Sequence, residues 1–309
     1  FRTFYKIKSK KKNKIIVLAK KEKYKNLIAY SAINKFLRIN NIYAPKLYGS
    51  NFSKSAIVIE DFGNISFHKI LTQKKNKLTI YKKIIDLLFK IQKIKPKTKI
   101  RSINGRFHRV RMYSRKHLFK ESDLFFDWYL PLFFKKKKVL SIKNKSKKIL
   151  FNLYKKINFS NSYFVHRDFH SQNLMKIRGK IGVIDSQDAL IGNPAYDLAS
   201  LIDDVRIKNS KKLKNKIYNY YLIKSKKNLK NNSKIFLEDF NILSVQRCLK
   251  IIGIFSRLFK RDKKDQYLKF IPYTWQILES RMKGKIFSEL KKILDINVSR
   301  KIRKININK

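Results

Sequence analysis

One stretch near the middle of the chain restricts what it can fold into more than any other. It reads His166-Arg167-Asp168-Phe169-His170-Ser171-Gln172-Asn173, followed by Leu174-Met175, a turn through Arg178-Gly179-Lys180, and the apolar run Ile181-Gly182-Val183-Ile184 that ends on Asp185. The pattern is H-x-D-x-x-x-x-N, then a hairpin, then an aspartate closing an apolar strand. An isolated H-x-D triplet carries little information, and the bland reading of the stretch is a polar hairpin loop with chance acids. The joint spacing of two carboxylates and one amide around a hairpin is far harder to meet by accident.

Those residue types suit one chemistry. Phosphoryl transfer to an alcohol needs few groups, but it needs them placed. One carboxylate must orient the acceptor hydroxyl and take its proton. An amide oxygen and a second carboxylate must hold Mg²⁺ against the phosphates of ATP, a hard cation that prefers oxygen donors and keeps some of its waters. By position, Asp168 is the candidate base, and Asn173 and Asp185 are the candidate Mg²⁺ ligands. Asp188 lies three residues beyond Asp185, within reach of a second metal position. His166 reads as a structural histidine that supports the loop by hydrogen bonding.

The rest of the chain divides into a short strand-bearing part and a longer helical part. Phe1 to Ile7 and Ile15 to Leu18 are β-prone, and Tyr24 to Ile39 repeats apolar residues at helical spacing until Asn40-Asn41 and Pro45 stop it. Leu47-Tyr48 and Ala56 to Ile59 read as strands joined by a turn through Gly49-Ser50-Asn51. Helical patterns follow at 78–94, 116–134 and 144–157, a strand-loop-strand block at 163–185, and helices again from 195 onward. The expected fold is α+β, with a small strand-rich lobe over residues 1–62 and a larger helical lobe over 63–309.

Composition narrows the partners. Lys and Arg number 76 against 20 Asp and Glu, a formal net charge of +56. Taken alone, that balance suggests a polyanion as partner. Lys, Asn and Ile are enriched together, however, and all three have AT-rich codons, so genome bias accounts for the charge with no specific nucleic-acid role. The spread of Phe and Tyr along the chain fits a packed domain, not a basic tail. The single cysteine, Cys248, excludes an internal disulfide framework and sits in an apolar run, as a buried thiol does. No apolar stretch reaches the roughly 18 residues of a membrane span, and no signal peptide is visible. The expected location is therefore the cytoplasm. The oligomeric state is not legible.

The segment after Asp185 adds a resemblance. Ile184-Asp185-Ser186-Gln187-Asp188-Ala189-Leu190-Ile191-Gly192-Asn193-Pro194-Ala195-Tyr196-Asp197-Leu198-Ala199 resembles the aminoglycoside phosphotransferase and choline kinase superfamily. Three segments resemble its branch of bacterial anomeric N-acetylmuramate/N-acetylglucosamine kinases: Gln187 to Gly192, Asp123 to Leu130, and Val245 to Leu258 with its continuation to Pro272. The resemblance spans nearly the whole chain. It implies a protein-kinase-like fold, ATP and Mg²⁺ as cofactors, and an amino sugar from cell-wall turnover as the small-molecule substrate. It implies further that Asp197 buttresses the catalytic loop, although at a helix start it equally suits a cap. It makes Asp127, Trp128 and Arg247 substrate-side candidates, with core packing as the alternative for Trp128.

The nucleotide side departs from the pattern. The first glycine is Gly49, so no G-x-G loop precedes it, and Phe1 to Tyr5 looks like the strand just after a phosphate-covering hairpin. The expectation is that a strand precedes Phe1. Lys20, after Val17-Leu18-Ala19, stands where the superfamily places a phosphate-binding lysine, with Glu22 as its partner; the alternative is one more surface lysine. Ile57-Val58-Ile59-Glu60-Asp61-Phe62-Gly63 reads as a strand ending in a hinge, where the main chain around Glu60 and Phe62 would bind adenine. The resemblance implies an aromatic where this chain has Ser186, and a serine there is expected to loosen the metal loop.

Rival functions stay open at this level. Choline, homoserine, methylthioribose or an aminoglycoside would use the same three catalytic residues, though cationic substrates fit poorly in so basic a chain. A protein kinase is disfavoured by the lack of an Ala-Pro-Glu-like stretch after Asp185. A non-catalytic basic binding protein on a degenerate kinase fold is the alternative from another class.

Overall fold

The computed structural model describes residues 2–8, 13–19, 24–229 and 232–304. Lys20 and Glu22 lie outside the described residues. In chain order the strands are β1 (Arg2–Ile7), β2 (Lys14–Ala19), β3 (Leu47–Asn51), β4 (Ala56–Glu60), β5 (Lys99–Arg101), β6 (Phe107–Arg109), β7 (Tyr163–Val165), β8 (Leu174–Ile177), β9 (Lys180–Val183) and β10 (Leu190–Gly192). The helices are α1 (Tyr24–Ile39), α2 (Phe67–Gln73), α3 (Leu78–Gln92), α4 (Arg115–Leu124), α5 (Lys136–Lys155), α6 (Ala195–Ile202), α7 (Lys211–Leu229), α8 (Ser233–Asp262), α9 (Ile271–Arg281), α10 (Ser288–Asn297) and α11 (Arg300–Lys304). They form two compact units: Phe1–Met112 with Ser160–Ile202 and Asn209–Lys227, and Tyr113–Phe159 with Asp203–Lys208 and Asn228–Lys309.

The first unit carries an antiparallel sheet in the order β1-β2-β4-β3. Val17, Leu47, Ile57 and Ile59 from the sheet bury against Leu27 and Tyr30 of α1. Period-2 alternation on β4 and a helical stripe on α1 therefore share one core. α1 stops where the sequence predicts: Asn41 takes a left-handed φ of 60°, and the Ile42 amide turns back to the Leu37 carbonyl at 2.9 Å. The β3–β4 turn lies later than predicted. β3 runs on through Gly49 and Ser50, and Asn51 starts the turn, its Oδ1 accepting from Ser53 Oγ at 2.7 Å and the Lys54 amide at 3.0 Å.

The β8–β9 hairpin turns on Arg178 and Gly179, both at positive φ (47° and 72°), as a two-residue primed turn requires. β10, which the sequence reading missed, pairs with β7. It brings the segment after Asp185 back beside the strand that leads into the loop of Asp168 and Asn173.

The second unit is helical. The pattern predicted over 116–134 breaks into α4, a π turn at Phe125–Tyr129 and a 3₁₀ turn at Leu130–Leu132. Pro131 lacks an N–H and ends the regular ladder. A Cβ on Gly253 of α8 would lie 2.2 Å from the Leu124 carbonyl carbon, so only glycine permits this approach of α8 to the α4–π junction. α5 begins at Lys136, earlier than the predicted 144, because buried Val139 and Ile142 extend the buried stripe of Ser146, Leu150 and Leu153 backwards. Cys248 is buried in α8. Among the described residues no helix is long and apolar enough to cross a membrane.

Candidate active site

The site is built from the loop between β7 and β8, the end of β9, and the start of α6, all within the first unit. Asn193 caps α6, its Oδ1 accepting from the Ala195 amide at 2.9 Å. This leaves Asp197, in the first turn of α6 and 0% exposed, to face the catalytic loop. Its two carboxylate oxygens accept from the backbone amides of His166 at 2.7 Å and Arg167 at 2.9 Å. Of the two roles open to Asp197, the side chain performs the buttressing contact.

The buttress holds a strained turn. Arg167 sits at φ 73°, a conformation uncommon for a residue with a side chain. Its guanidinium donates to the Asp188 carbonyl at 3.1 Å, so the segments before and after the hairpin are tied by one residue. His166 is fully buried and donates from Nε2 to the Ile184 carbonyl at 3.1 Å. Burial pushes its pKa below the ordinary histidine value, opposed by the charges of Asp168 and Asp185. A neutral ring with Nε2–H is the tautomer this contact requires. That is a supporting role.

Hydrogen bonds link the segments that carry Asp168, Asn173 and Asp185. The Asp168 carbonyl accepts from the His170 amide at 2.9 Å and from Asn173 Nδ2 at 3.0 Å. The Asn173 carbonyl in turn accepts from the Ile184 amide at 3.0 Å, next to Asp185. Asp185 itself has φ 63°. Gln187, 4% exposed, donates through one amide nitrogen to Asp185 Oδ1 and Asp188 Oδ2, both at 3.1 Å. Two carboxylates accepting from a single amide nitrogen are held close to one another.

The donor types here, carboxylate and amide oxygens, are those Mg²⁺ takes, while among the described residues no three Asp, Glu, His or Cys side chains gather as a metal cluster of their own. The Asn173 nitrogen is committed to the loop, which turns its planar amide so that the oxygen lies on the opposite edge. The remaining donors are carboxylate oxygens, and Mg²⁺ takes hard oxygen ligands of this kind with water completing the shell.

The hinge residues spend their side chains on the protein. The Glu60 carboxylate accepts from Tyr43 Oη at 3.1 Å and the Lys46 amide at 3.2 Å. Phe62 stacks on Tyr43 with centroids 5.0 Å apart and covers Gly182, where a Cβ would lie 2.4 Å from the Phe62 ring. Gly182 thus exists for Phe62, a pairing that strand periodicity gives no sign of.

The three substrate-side candidates belong to the second unit. Asp127 is exposed and pairs with Lys143 at 2.5 Å, and Trp128 is half-buried in the π turn. Arg247 is buried on α8 and donates to the Asp203 carbonyl at 3.3 Å. Sequence reasoning missed Asn193, Gln187, Arg167 as a cross-brace, and a bond from Ser186 to Asn34 of α1. The Arg167 and Ser186 contacts span 21 and 152 residues, out of reach of spacing, whereas the Asn193 and Gln187 bonds are local and turn on side-chain direction, which spacing does not give.

Comparison with known proteins bears on the family and the fold. A Caulobacter vibrioides N-acetylmuramate/N-acetylglucosamine kinase is 26% identical over 272 residues, covering 86% of this chain and 74% of the relative. The Neisseria meningitidis protein of the same name is 28% identical over 250 residues, covering 79% and 71%. Among solved structures, the Plasmodium vivax ethanolamine kinase superposes with a TM-score of 0.60 at 14% identity, covering 93% of this chain and 84% of that one. At that identity the likeness establishes the fold, which is the expected protein-kinase-like α+β fold. Residues 2–226 match the phosphotransferase enzyme family. The chain belongs to that family.

Proposed function

We propose that this chain is an ATP- and Mg²⁺-dependent kinase that phosphorylates an amino sugar, N-acetylmuramate or N-acetylglucosamine, at its anomeric hydroxyl. The observation that carries the reaction class is the loop of Asp168 and Asn173, bonded to Ile184 next to Asp185 and held by Asp197 from behind. The substrate class rests on the names of the relatives.

In this reading Asp168 holds the acceptor hydroxyl and receives its proton. An anomeric hydroxyl is more acidic than an ordinary alcohol, so positioning weighs more than basicity. Asn173 and Asp185 hold the metal, with Asp188 drawn in by Gln187. When bound, Mg²⁺ neutralises charge on the transferring phosphoryl group. His166, Arg167 and Asp197 fix the loop so that Asp168 need not reorganise. Residues 1–62 form the nucleotide side, with Lys20 toward the phosphates and the main chain near Glu60 and Phe62 toward adenine. Residues 63–309 supply the catalytic loop and, through Asp127, Trp128 and Arg247, the sugar side. A small-molecule kinase drawing on ATP works in the cytoplasm.

The test is phosphate transfer from labelled ATP in Mg²⁺ buffer. The acceptors are N-acetylmuramate, N-acetylglucosamine, choline, homoserine and kanamycin. The expected result is labelling of the amino sugars at the anomeric carbon. Labelling of choline or kanamycin alone would overturn the sugar assignment, and no transfer to any acceptor without nucleotide binding would overturn the kinase.

A further inference from the structure

Ser186 follows directly on Asp185 and is 0% exposed; Asn34, in the middle of α1, is 1% exposed. The Ser186 hydroxyl donates to Asn34 Oδ1 at 2.7 Å, across 152 residues of sequence. Asn34 Nδ2 donates onward to the Pro45 carbonyl at 3.4 Å, in the segment that leads into β3. Asn34 lies on a helix buried through Ala32, Ile33, Phe36 and Leu37, where its amide and the Ser31 hydroxyl are polar groups on an otherwise apolar face. Burying such a group is tolerable only with its partners in place.

From this chain of contacts we infer that Ser186 and Asn34 form a positioning pair, which couples α1 of the nucleotide side to the metal-holding Asp185. The inference rests on the reading of Asp185 as a metal ligand. Two features give the pair leverage. Asp185 sits at φ 63°, a conformation that persists only where its surroundings over-determine it. Ser186 supplies one of those constraints from a direction that Gln187 and the Asn173–Ile184 bond do not. Mg²⁺ also demands near-octahedral geometry, so a small relaxation of one carboxylate is felt in affinity. The expected loosening of the loop by a serine is replaced by a hydrogen-bonded tether, and α1 cannot shift without carrying the metal loop.

The test uses the full chain with Ser186→Ala, Asn34→Leu and the double variant. Nucleotide binding is measured by titration calorimetry with and without Mg²⁺, and amide hydrogen exchange over 184–188 is measured in the metal-free chain. Each single variant should weaken Mg²⁺-nucleotide binding roughly tenfold and leave metal-free nucleotide affinity within about twofold. The double variant should be no worse than the worse single one, as two halves of one contact behave. Exchange over 184–188 should accelerate in the free protein. If Asn34→Leu does not fold, Ser186→Ala and the isosteric Ser186→Cys carry the test. Unchanged Mg²⁺-nucleotide affinity in folded variants, or additive losses, would overturn the pair while leaving the kinase intact. A wild-type chain that binds no Mg²⁺-nucleotide would overturn the kinase reading itself.

Discussion

Asp197→Asn is the most informative single substitution the geometry offers. The carboxylate accepts two backbone amides, at 2.7 and 2.9 Å, in a site with no solvent exposure. An amide in its place keeps one acceptor and turns an NH₂ toward the second N–H. One charge-assisted bond, ~1.5–3 kcal/mol, is lost, and a buried donor is left unpaired at about 1–3 kcal/mol. Roughly 3–5 kcal/mol of stability should therefore go, a large part of the ~5–15 kcal/mol of a typical domain. At about 2–4 °C per kcal/mol, Tm should fall by roughly 6–20 °C.

The loop can also open locally, which would cap the fall in Tm, so turnover is the second readout. Arg167 at φ 73° aims Asp168, and freeing its amide removes what holds that strain. Turnover should drop by at least about a hundredfold, because a misplaced reacting group by itself costs on that order. The assays are scanning calorimetry and phosphate transfer on the same preparation. A variant within about 2 °C of wild type in Tm, with full turnover, would refute the claim that Asp197 holds the loop.

Three other outcomes are expected. Asp168→Asn should lower turnover by two or more orders of magnitude, in keeping with ~10²–10⁴-fold from a positioned base, while calorimetry finds Mg²⁺-nucleotide affinity nearly unchanged; a normal rate would remove Asp168 from the reaction. Gly182→Ala should force the Phe62 ring aside, costing about 1–3 kcal/mol as overpacking does and raising the KM for ATP more than it lowers kcat; unaltered melting and KM would mean the ring yields freely. His166 is kept neutral by burial, so below its ordinary value of 6.5 the unfolded chain takes up a proton that the folded chain resists. Its contribution to stability is then full above about pH 6.5 and shrinks as pH falls toward the lowered folded value. Melting in EDTA between pH 7.5 and 5.5 should show this decline, and His166→Gln should flatten it; equal slopes would refute it.

What the sequence made legible follows from range. The hairpin, the α1 stripe and its stop at Asn40-Asn41 are set by neighbours a few residues apart, and spacing exposes them. Asp168, Asn173 and Asp185 are legible as candidates because chemistry fixes their types and a short hairpin fixes their offsets. Gln187 and Ser186 lie inside the same motif, yet their partners were not recoverable. Gln187 serves two carboxylates that sequence reading had already assigned elsewhere, and Ser186 bonds to a helix 152 residues away. The break of 116–134 into three kinds of turn was equally hidden, because Gly253 that presses on it comes from α8.

The distribution of acids explains how a chain at +56 keeps a fold and a site. The buried carboxylates of Glu121, Asp203, Asp239 and Asp197 each accept from two or more donors. Glu121 accepts from Tyr113 Oη, from Gln246 at 3.0 Å and from Lys250 at 3.2 Å. Asp203 accepts from Ser244 at 2.7 Å and takes Arg281 through both oxygens at 2.8 and 3.1 Å. Asp239 accepts the Asn158 and Phe159 amides at 3.1 and 2.8 Å, as Asp197 accepts those of His166 and Arg167. A lysine offers no acceptor, and in these places it would add an unpaired charge beside stranded donors. Compositional pressure toward lysine can therefore spread across solvated helix faces such as Lys136 to Lys138 of α5, where screening keeps each exchange cheap. It must stop at the carboxylates on which other groups depend. The buried acids thus mark positions where the fold needs an acceptor, while Asp168, Asp185 and Asp188 stay outside the buried set on a loop that other polar groups hold.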